Sequence, residues 1–241
     1  GSARAPYINK TLLPAFAHAE NYRTGTIYPS LPNYITLEAG DNFGLRTLSP
    51  LPTAFRINSP DHLTSYLNRA GISWRSYSES LPGAGTACVF VDGPLYSADH
   101  NAFAYFDDVT GNPPAIDDAY CIEHVRPYEE LAADLQNGTT ARYNFIIPND
   151  ADQGEKLAFV GSNKIAQCDT WLKNELPNIL ASQAYQDGGV VLILWDEDTK
   201  HGLDNPIAPR MAKGDAPCHE VVITGDDIDI NRWPIPTYSP K

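Results

Sequence analysis

Gly188-Gly189-Val190-Val191-Leu192-Ile193-Leu194-Trp195-Asp196-Glu197-Asp198 is the stretch on which the fold turns. Its uninterrupted aliphatic run leaves no polar face for water, as in a strand covered on both sides within a parallel sheet. The glycines in front punctuate a turn, and the carboxylates behind mark the exit of the strand. The run is far too short to cross a bilayer, so no transmembrane segment is expected from it.

Working outward, Tyr143-Asn144-Phe145-Ile146-Ile147 reads as a second strand, stopped by Pro148. Helical patterning lies between the two, from Gln167 to Leu176 and again from Asn178 to Tyr185, with Pro177 as the break. Upstream, Asp61 to Ala70 reads as a helix, with Ser59 as its N-cap and Gly71 closing it. Ile72 to Glu79 then alternates like a strand. Pro127 to Gln136 reads as another helix, with Gly138 just past its end. Val221-Val222-Ile223 is a last apolar strand before an acidic turn and a Pro-rich tail. Alternating strands and helices predict an α/β fold with a mostly parallel sheet between helices. Residues 1–241 are read as one domain. The segment at about 80–120, rich in Gly, Pro, Asp and aromatic residues, is expected to be a loop-rich insertion or lid. If it closes over a site, Tyr96, Phe103, Tyr105 and Phe106 would line the pocket.

The chain has 241 residues, 42% of them hydrophobic, with 17 Lys plus Arg against 30 Asp plus Glu. A formal net charge of -13 argues against a nonspecific nucleic-acid binder, whose surface must attract phosphate backbones. The four cysteines are widely spaced without a CxxC pair, which leaves zinc-ribbon and thioredoxin chemistry unsupported. Cys88 and Cys121 flank the loop-rich segment, where a disulfide would restrain it. Two disulfides would suit an exported protein, whereas four buried thiols would suit a cytosolic one, and no charged-then-apolar leader stands at the N-terminus.

Ligands of open α/β sheets bind beyond the carboxyl ends of the strands. Three such ends are acidic: Asp196-Glu197-Asp198, Asn149-Asp150-Ala151-Asp152 and Asp226-Asp227. Parallel strands would gather all three on one edge. There they either solvate loop tips or share a hard cation that offsets their repulsion. Ser30, in Tyr28-Pro29-Ser30-Leu31-Pro32-Asn33-Tyr34, falls at the start of an expected helix ending near Gly40. It is either an ordinary N-cap or a hydroxyl nucleophile set beside free backbone N–H groups. His18, His62 and His124 receive no role, and His18 is expected in a helix after Pro14. Trp74, Trp171, Trp195 and Trp233 read as core or interface anchors.

Several of these stretches, taken in order, resemble one family. They are Ala5-Pro6-Tyr7-Ile8-Asn9, Tyr28 to Tyr34, Asp99-His100-Asn101-Ala102-Phe103-Ala104-Tyr105-Phe106-Asp107-Asp108, Asn144-Phe145-Ile146-Ile147-Pro148-Asn149 and Leu194-Trp195-Asp196-Glu197. The family is that of bacterial and fungal phosphoesterases, which includes acid phosphatases and phosphatidylcholine-type phospholipases C, within the alkaline phosphatase superfamily. The resemblance implies an alkaline-phosphatase-like fold and a metal-dependent hydrolase of phosphoric esters. It places Ser30 as the metal-bound nucleophile and Asp196 and Glu197 as ligands of a divalent metal ion. His100 falls beside the phosphoryl oxygens. The implied partner is a phosphate-ester small molecule or a lipid headgroup, and the implied location is secreted or periplasmic.

The chain also departs from that pattern. Family members begin with a strand ending in a metal-binding Glu-Asn pair, which has no counterpart here. Tyr28 replaces a histidine, and the Asp-x-His group expected after Asn149 reads Asp150-Ala151-Asp152. Substitute ligands would have to come from Asp150, Asp152, His201, His219, Asp226 or Asp227. Another expectation is that Val221-Ile223, as a parallel edge strand, takes the missing strand's place by permutation. A separate N-terminal chain that completes the site is a further one. The rival to an enzyme is a non-catalytic binding module that keeps the fold without the full metal site.

Overall fold

The protein is described by a computed structural model covering residues 2–19, 29–46, 49–156, 159, 161–196 and 220–224. A helical segment, Ile8–Leu12, runs into α1 (Leu13–Ala15). Its start is held from outside: the buried Asp169 carboxylate accepts the Tyr7 and Ile8 N–H groups at 2.9 and 2.8 Å. His18 lies beyond α1 and outside any helix. Then follow α2 (Leu31–Ala39), α3 (Leu63–Arg69), β1 (Trp74–Ser78), α4 (Asp107–Thr110), α5 (Ala119–His124) and β2 (Val125–Pro127). The chain continues through α6 (Leu131–Asn137), β3 (Tyr143–Ile147), α7 (Lys164–Leu180), α8 (Gln183–Gln186), β4 (Val190–Leu194) and β5 (Glu220–Thr224).

The strands form one sheet in the order β2-β1-β3-β5-β4. β2, β1 and β3 are parallel, with Ser78 opposite both Pro127 and Ile147. β5 runs antiparallel between β3 and β4, so β3 and β4 point the same way. The expected α/β sheet is therefore present, with helices on both faces. The last strand differs from expectation: it is interior and antiparallel rather than a parallel edge. Its Thr224 end pairs with Tyr143 and Val190, where β3 and β4 begin. The chain therefore leaves β5 at the edge opposite the exits of β3 and β4. Asp226 and Asp227 lie outside the described residues.

The period-two alternation of the strands divides the core. On one face, Trp74, Phe145 and Ile147 pack with Leu31, Tyr34 and Ile35 of α2 and with the loop-rich segment. On the other, Tyr77, Ile146, Val191 and Ile193 meet Leu131 and Leu135 of α6 and Cys168, Trp171, Leu172, Leu176 and Ile179 of α7. Residues 80–120 hold only short helical turns, yet Tyr96, Phe103, Tyr105 and Phe106 are all buried there. They pack in the core against α2 and β1. Trp74 and Trp171 are core anchors, as expected.

Two helix expectations also need correction. Pro177 does not break α7, which Asn163 caps through the Ile165 and Ala166 N–H groups. Its buried stripe runs unbroken from Cys168 through Leu176 to Ile179, and that burial offsets the roughly 3 kcal/mol cost of an interior proline. Pro127 ends β2 rather than starting a helix. Its missing N–H is tolerated because β2 is the edge strand among the described residues.

The buried His62 ring ties three elements together on the α2 side. Nδ1 lies 2.8 Å from Oε1 of Glu38, in the last turn of α2, and Nε2 lies 3.0 Å from both carboxylate oxygens of Asp108 in α4. Thr64 donates its N–H and hydroxyl to the same Glu38 oxygen, and the ring stacks on Phe106. Two carboxylates on two ring nitrogens require both nitrogens to carry protons. Burial by itself lowers the His62 pKa, but the hydrogen bonds and charges of Asp108 and Glu38 outweigh it and raise it to about 9.

Stability from His62 is complete below the ordinary histidine value near 6.5 and is lost as pH rises through about 9. Thermal denaturation from pH 7 to 10 is expected to show a loss on the order of 3 kcal/mol that His62→Gln no longer shows. A parallel decline in both proteins would contradict it.

Cys88 and Cys121 are joined, as expected, with Cα atoms 5.6 Å apart; Asp118 caps the turn that presents Cys121. The chain separation of 33 residues predicts that replacing both with serine costs about 3–4 kcal/mol. Peptide mapping of denatured, unreduced protein is expected to find neither cysteine alkylated. Alkylation of both would contradict the pairing.

Candidate active site

Ser30 stands at the N-cap of α2, where the sequence puts it, but it does not cap the helix with its side chain. Its backbone is already helical (φ −56°, ψ −45°), and the hydroxyl makes no capping hydrogen bond. The Ser30 carbonyl accepts the Asn33 and Tyr34 N–H groups at 2.9 and 3.2 Å. Pro32 fits the first turn because its N–H would have no intrahelical partner there. Gly40 closes the helix in the left-handed region (φ 70°). Ser30 is 3% exposed.

One turn along the same face, the Tyr34 ring stacks on His100, with centroids 5.1 Å apart and planes 13° from parallel. Ser30, four residues before Tyr34, lies on the same helix face, since side chains at i and i+4 share one. His100 ends the short turn Ala98–His100, whose start is fixed by Asp92 accepting the Ala98 N–H at 2.8 Å. The ring is 2% exposed. Its Nε2 lies 3.8 Å from Asp99 Oδ1 and its Nδ1 4.0 Å from Asp150 Oδ1. These are ion-pair rather than hydrogen-bond distances.

Asp150 follows the exit of β3, so the group sits beyond the carboxyl ends of the parallel strands. Its carboxylate accepts the Ser97 hydroxyl at 2.8 Å to each oxygen, and its N–H donates to the Leu95 carbonyl. The Lys156 ammonium donates to Ser97 Oγ at 2.7 Å and lies 3.5 Å from Asp99 Oδ1 and 3.7 Å from Asp150 Oδ1. The Asn149 side-chain oxygen accepts the Ala151 and Asp152 N–H groups and shapes the turn. The turn parts its two carboxylates. Asp150 faces His100, whereas Asp152 lies by Glu79 and Glu175.

Glu79, one residue past β1, accepts the Asn149 N–H at 2.9 Å. Burial raises its pKa to about 7; the Asn149 hydrogen bond opposes that and the nearby Asp152 charge adds to it. Asp152 is raised as well, first by burial and then by Glu175 against a hydrogen bond from Asn149.

Asp196 follows β4 at the same sheet edge and is 1% exposed. Two strand spacings, roughly 10 Å, separate the lines of β3 and β4. Buried carboxylate and hydroxyl oxygens are the hard donors a divalent cation prefers, so Asp196 and Ser30 fit such an ion chemically. Among the described residues, no group of three or more His, Cys, Asp and Glu side chains is arranged to hold a metal. Glu197, His201, His219, Asp226, Asp227 and Tyr28 lie outside the described residues.

Reasoning from sequence missed Lys156, Ser97, Asp99 and Glu79. Asp99 adjoins His100 and Glu79 ends a strand, and both were signals of position. Nothing local marks Lys156, which is brought in by the turn after β3.

Over 208 residues, 83% of its length, the chain is 27% identical to a probable acid phosphatase of Kluyveromyces lactis, 45% of whose length is matched. It is 28% identical over 200 residues, 82% of the chain, to a phosphatidylinositol-3-phosphatase of Mycobacterium tuberculosis, matching 58% of that protein. With an acid phosphatase of Aspergillus niger it shares 24% identity over 208 residues, 83% of the chain and 45% of that protein. The chain thus spans about half the length of the curated relatives it matches. The model of the Phosphoesterase family matches residues 2–228, nearly the whole sequence. The chain belongs to the Phosphoesterase family.

Proposed function

We propose that the chain hydrolyses phosphoric esters, with Ser30 as nucleophile and His100 as the group that serves the leaving oxygen. The observation that supports this is the Tyr34–His100 stack, which ties the buried His100 ring to the helix whose N-cap is the buried Ser30. In the proposed reaction, Ser30 Oγ forms a bond to phosphorus as the bond to the ester oxygen breaks. The His100 ring takes the serine proton and passes it to the leaving oxygen, which departs as the alcohol. Water then attacks the phosphoseryl phosphorus and returns a proton to Ser30, releasing inorganic phosphate. Ser30, Asp196 and Glu197 are the residues proposed to hold a divalent cation. When bound, such an ion supplies charge stabilisation at the phosphoryl oxygens.

The substrate class proposed is a phosphoric ester on a small molecule or a lipid headgroup. The names of the relatives, two acid phosphatases and a phosphatidylinositol-3-phosphatase, support it. Secretion or a periplasmic location is proposed on the strength of the Cys88–Cys121 disulfide. A non-catalytic binding module is the second reading, favoured by the absence of a three-ligand metal group among the described residues.

Ser30→Ala separates the two. The hydroxyl makes no capping bond, so the usual capping loss of about 1 kcal/mol is not incurred. Turnover of an aryl phosphate is expected to fall at least about 1,000-fold while the variant remains folded. Parental turnover in Ser30→Ala would refute the nucleophile. Exhaustive chelation is expected to lower the melting temperature of the parent, because an ion bound only to the native state stabilises it by mass action. An unchanged melting temperature, with no metal found beforehand, would refute the ion.

A further inference from the structure

We infer that Lys156 is a substrate-binding residue whose ammonium receives the phosphoryl group beside His100. The inference rests on the hydrolase reading above and extends it to a residue with no assigned role. Electrostatics first requires such a group. The chain carries a formal charge of -13, and the two carboxylates nearest the His100 ring, Asp99 and Asp150, would repel an incoming phosphate.

Geometry then places the cation. The same two atoms, Asp99 Oδ1 and Asp150 Oδ1, lie 3.8 and 4.0 Å from the His100 ring nitrogens and 3.5 and 3.7 Å from Lys156 Nζ. The imidazole and the ammonium are therefore separated by no more than a carboxylate oxygen on two sides. An ammonium has three N–H donors. Among the described residues, Lys156 uses one in a hydrogen bond, to Ser97 Oγ at 2.7 Å. Both carboxylates stay beyond hydrogen-bond distance, which leaves donors for phosphate oxygens.

Access is also present. The Lys156 side chain is 32% exposed, in contrast to the 2% of His100, so its head group reaches the solvent from which a substrate arrives. The turn after Asn149 lacks the Asp-x-His group that the family resemblance implies, and this lysine is the cation the same turn delivers. A purely structural lysine would neutralise Asp99 and Asp150 and do nothing to phosphate affinity.

The test measures binding of inorganic phosphate by titration calorimetry in the parent, Lys156→Ala, Lys156→Met and Lys156→Arg, each also in the Ser30→Ala background. Lys156→Ala and Lys156→Met are expected to weaken phosphate binding about tenfold, and Lys156→Arg to restore it to within about threefold of the parent. Lys156→Ala is also expected to raise KM for an aryl phosphate more than it lowers kcat. Lys156→Met retains the aliphatic stem and keeps the test valid if the alanine variant folds poorly. Parental phosphate affinity in the folded Met and Ala variants would overturn the inference, as would a parent that binds no phosphate. A parent that binds phosphate through Lys156 but turns over no ester would refute hydrolysis and leave the binding residue standing.

Discussion

The contact of the buried His62 ring with Glu38 and Asp108 is the interaction on which the site's geometry depends. It fixes the last turn of α2 to the starts of α3 and α4, in a place where an unpaired charge would be costly. A helix held at its far end presents its first turn in one position. Ser30 and Tyr34 therefore occupy set places, and through the ring stack so does His100. Apolar packing of Leu31 and Ile35 supplies most of the adhesion of α2, while the charged triad supplies its registration.

Much of the fold was legible because burial on both faces writes itself into consecutive residues. β3 is an uninterrupted case, and its extent in the structure is the one its sequence predicts. β2 escaped notice because three residues at an edge carry too little pattern. The orientation of β5 could not be read either, since an apolar strand looks the same in both directions. Pro177 misled because the cost of a proline is local, whereas the apolar stripe that offsets it is long.

The site divides along the same line. Ser30 was legible as a helix start, and His100 through its family motif. What ties His100 to α2 is a stack on Tyr34, a residue far away in the chain, which no local pattern encodes. His62 gave no signal because its partners, Glu38 and Asp108, lie in other elements. Asp150 and Asp152 looked equivalent in sequence, but a single Asx-type turn at Asn149 sends them to different neighbours. One of those neighbourhoods is apolar enough to disfavour ionisation, and the other holds a lysine.

The placement of β5 has a consequence for the order in which the molecule is assembled. During synthesis the parallel trio β2, β1 and β3 is complete once Ile147 has emerged, and its helices can begin to cover it. β4 emerges next without β5, its neighbour among the described strands, which lies some 25 residues further on. Val190 and Leu192, each 46% exposed in the finished fold, stay accessible during that interval. Such an unpaired apolar strand invites pairing with another nascent chain. The interval between translation of β4 and of β5 is thus the vulnerable moment in the life of this protein, and a chain released within it would carry a sheet open at β3.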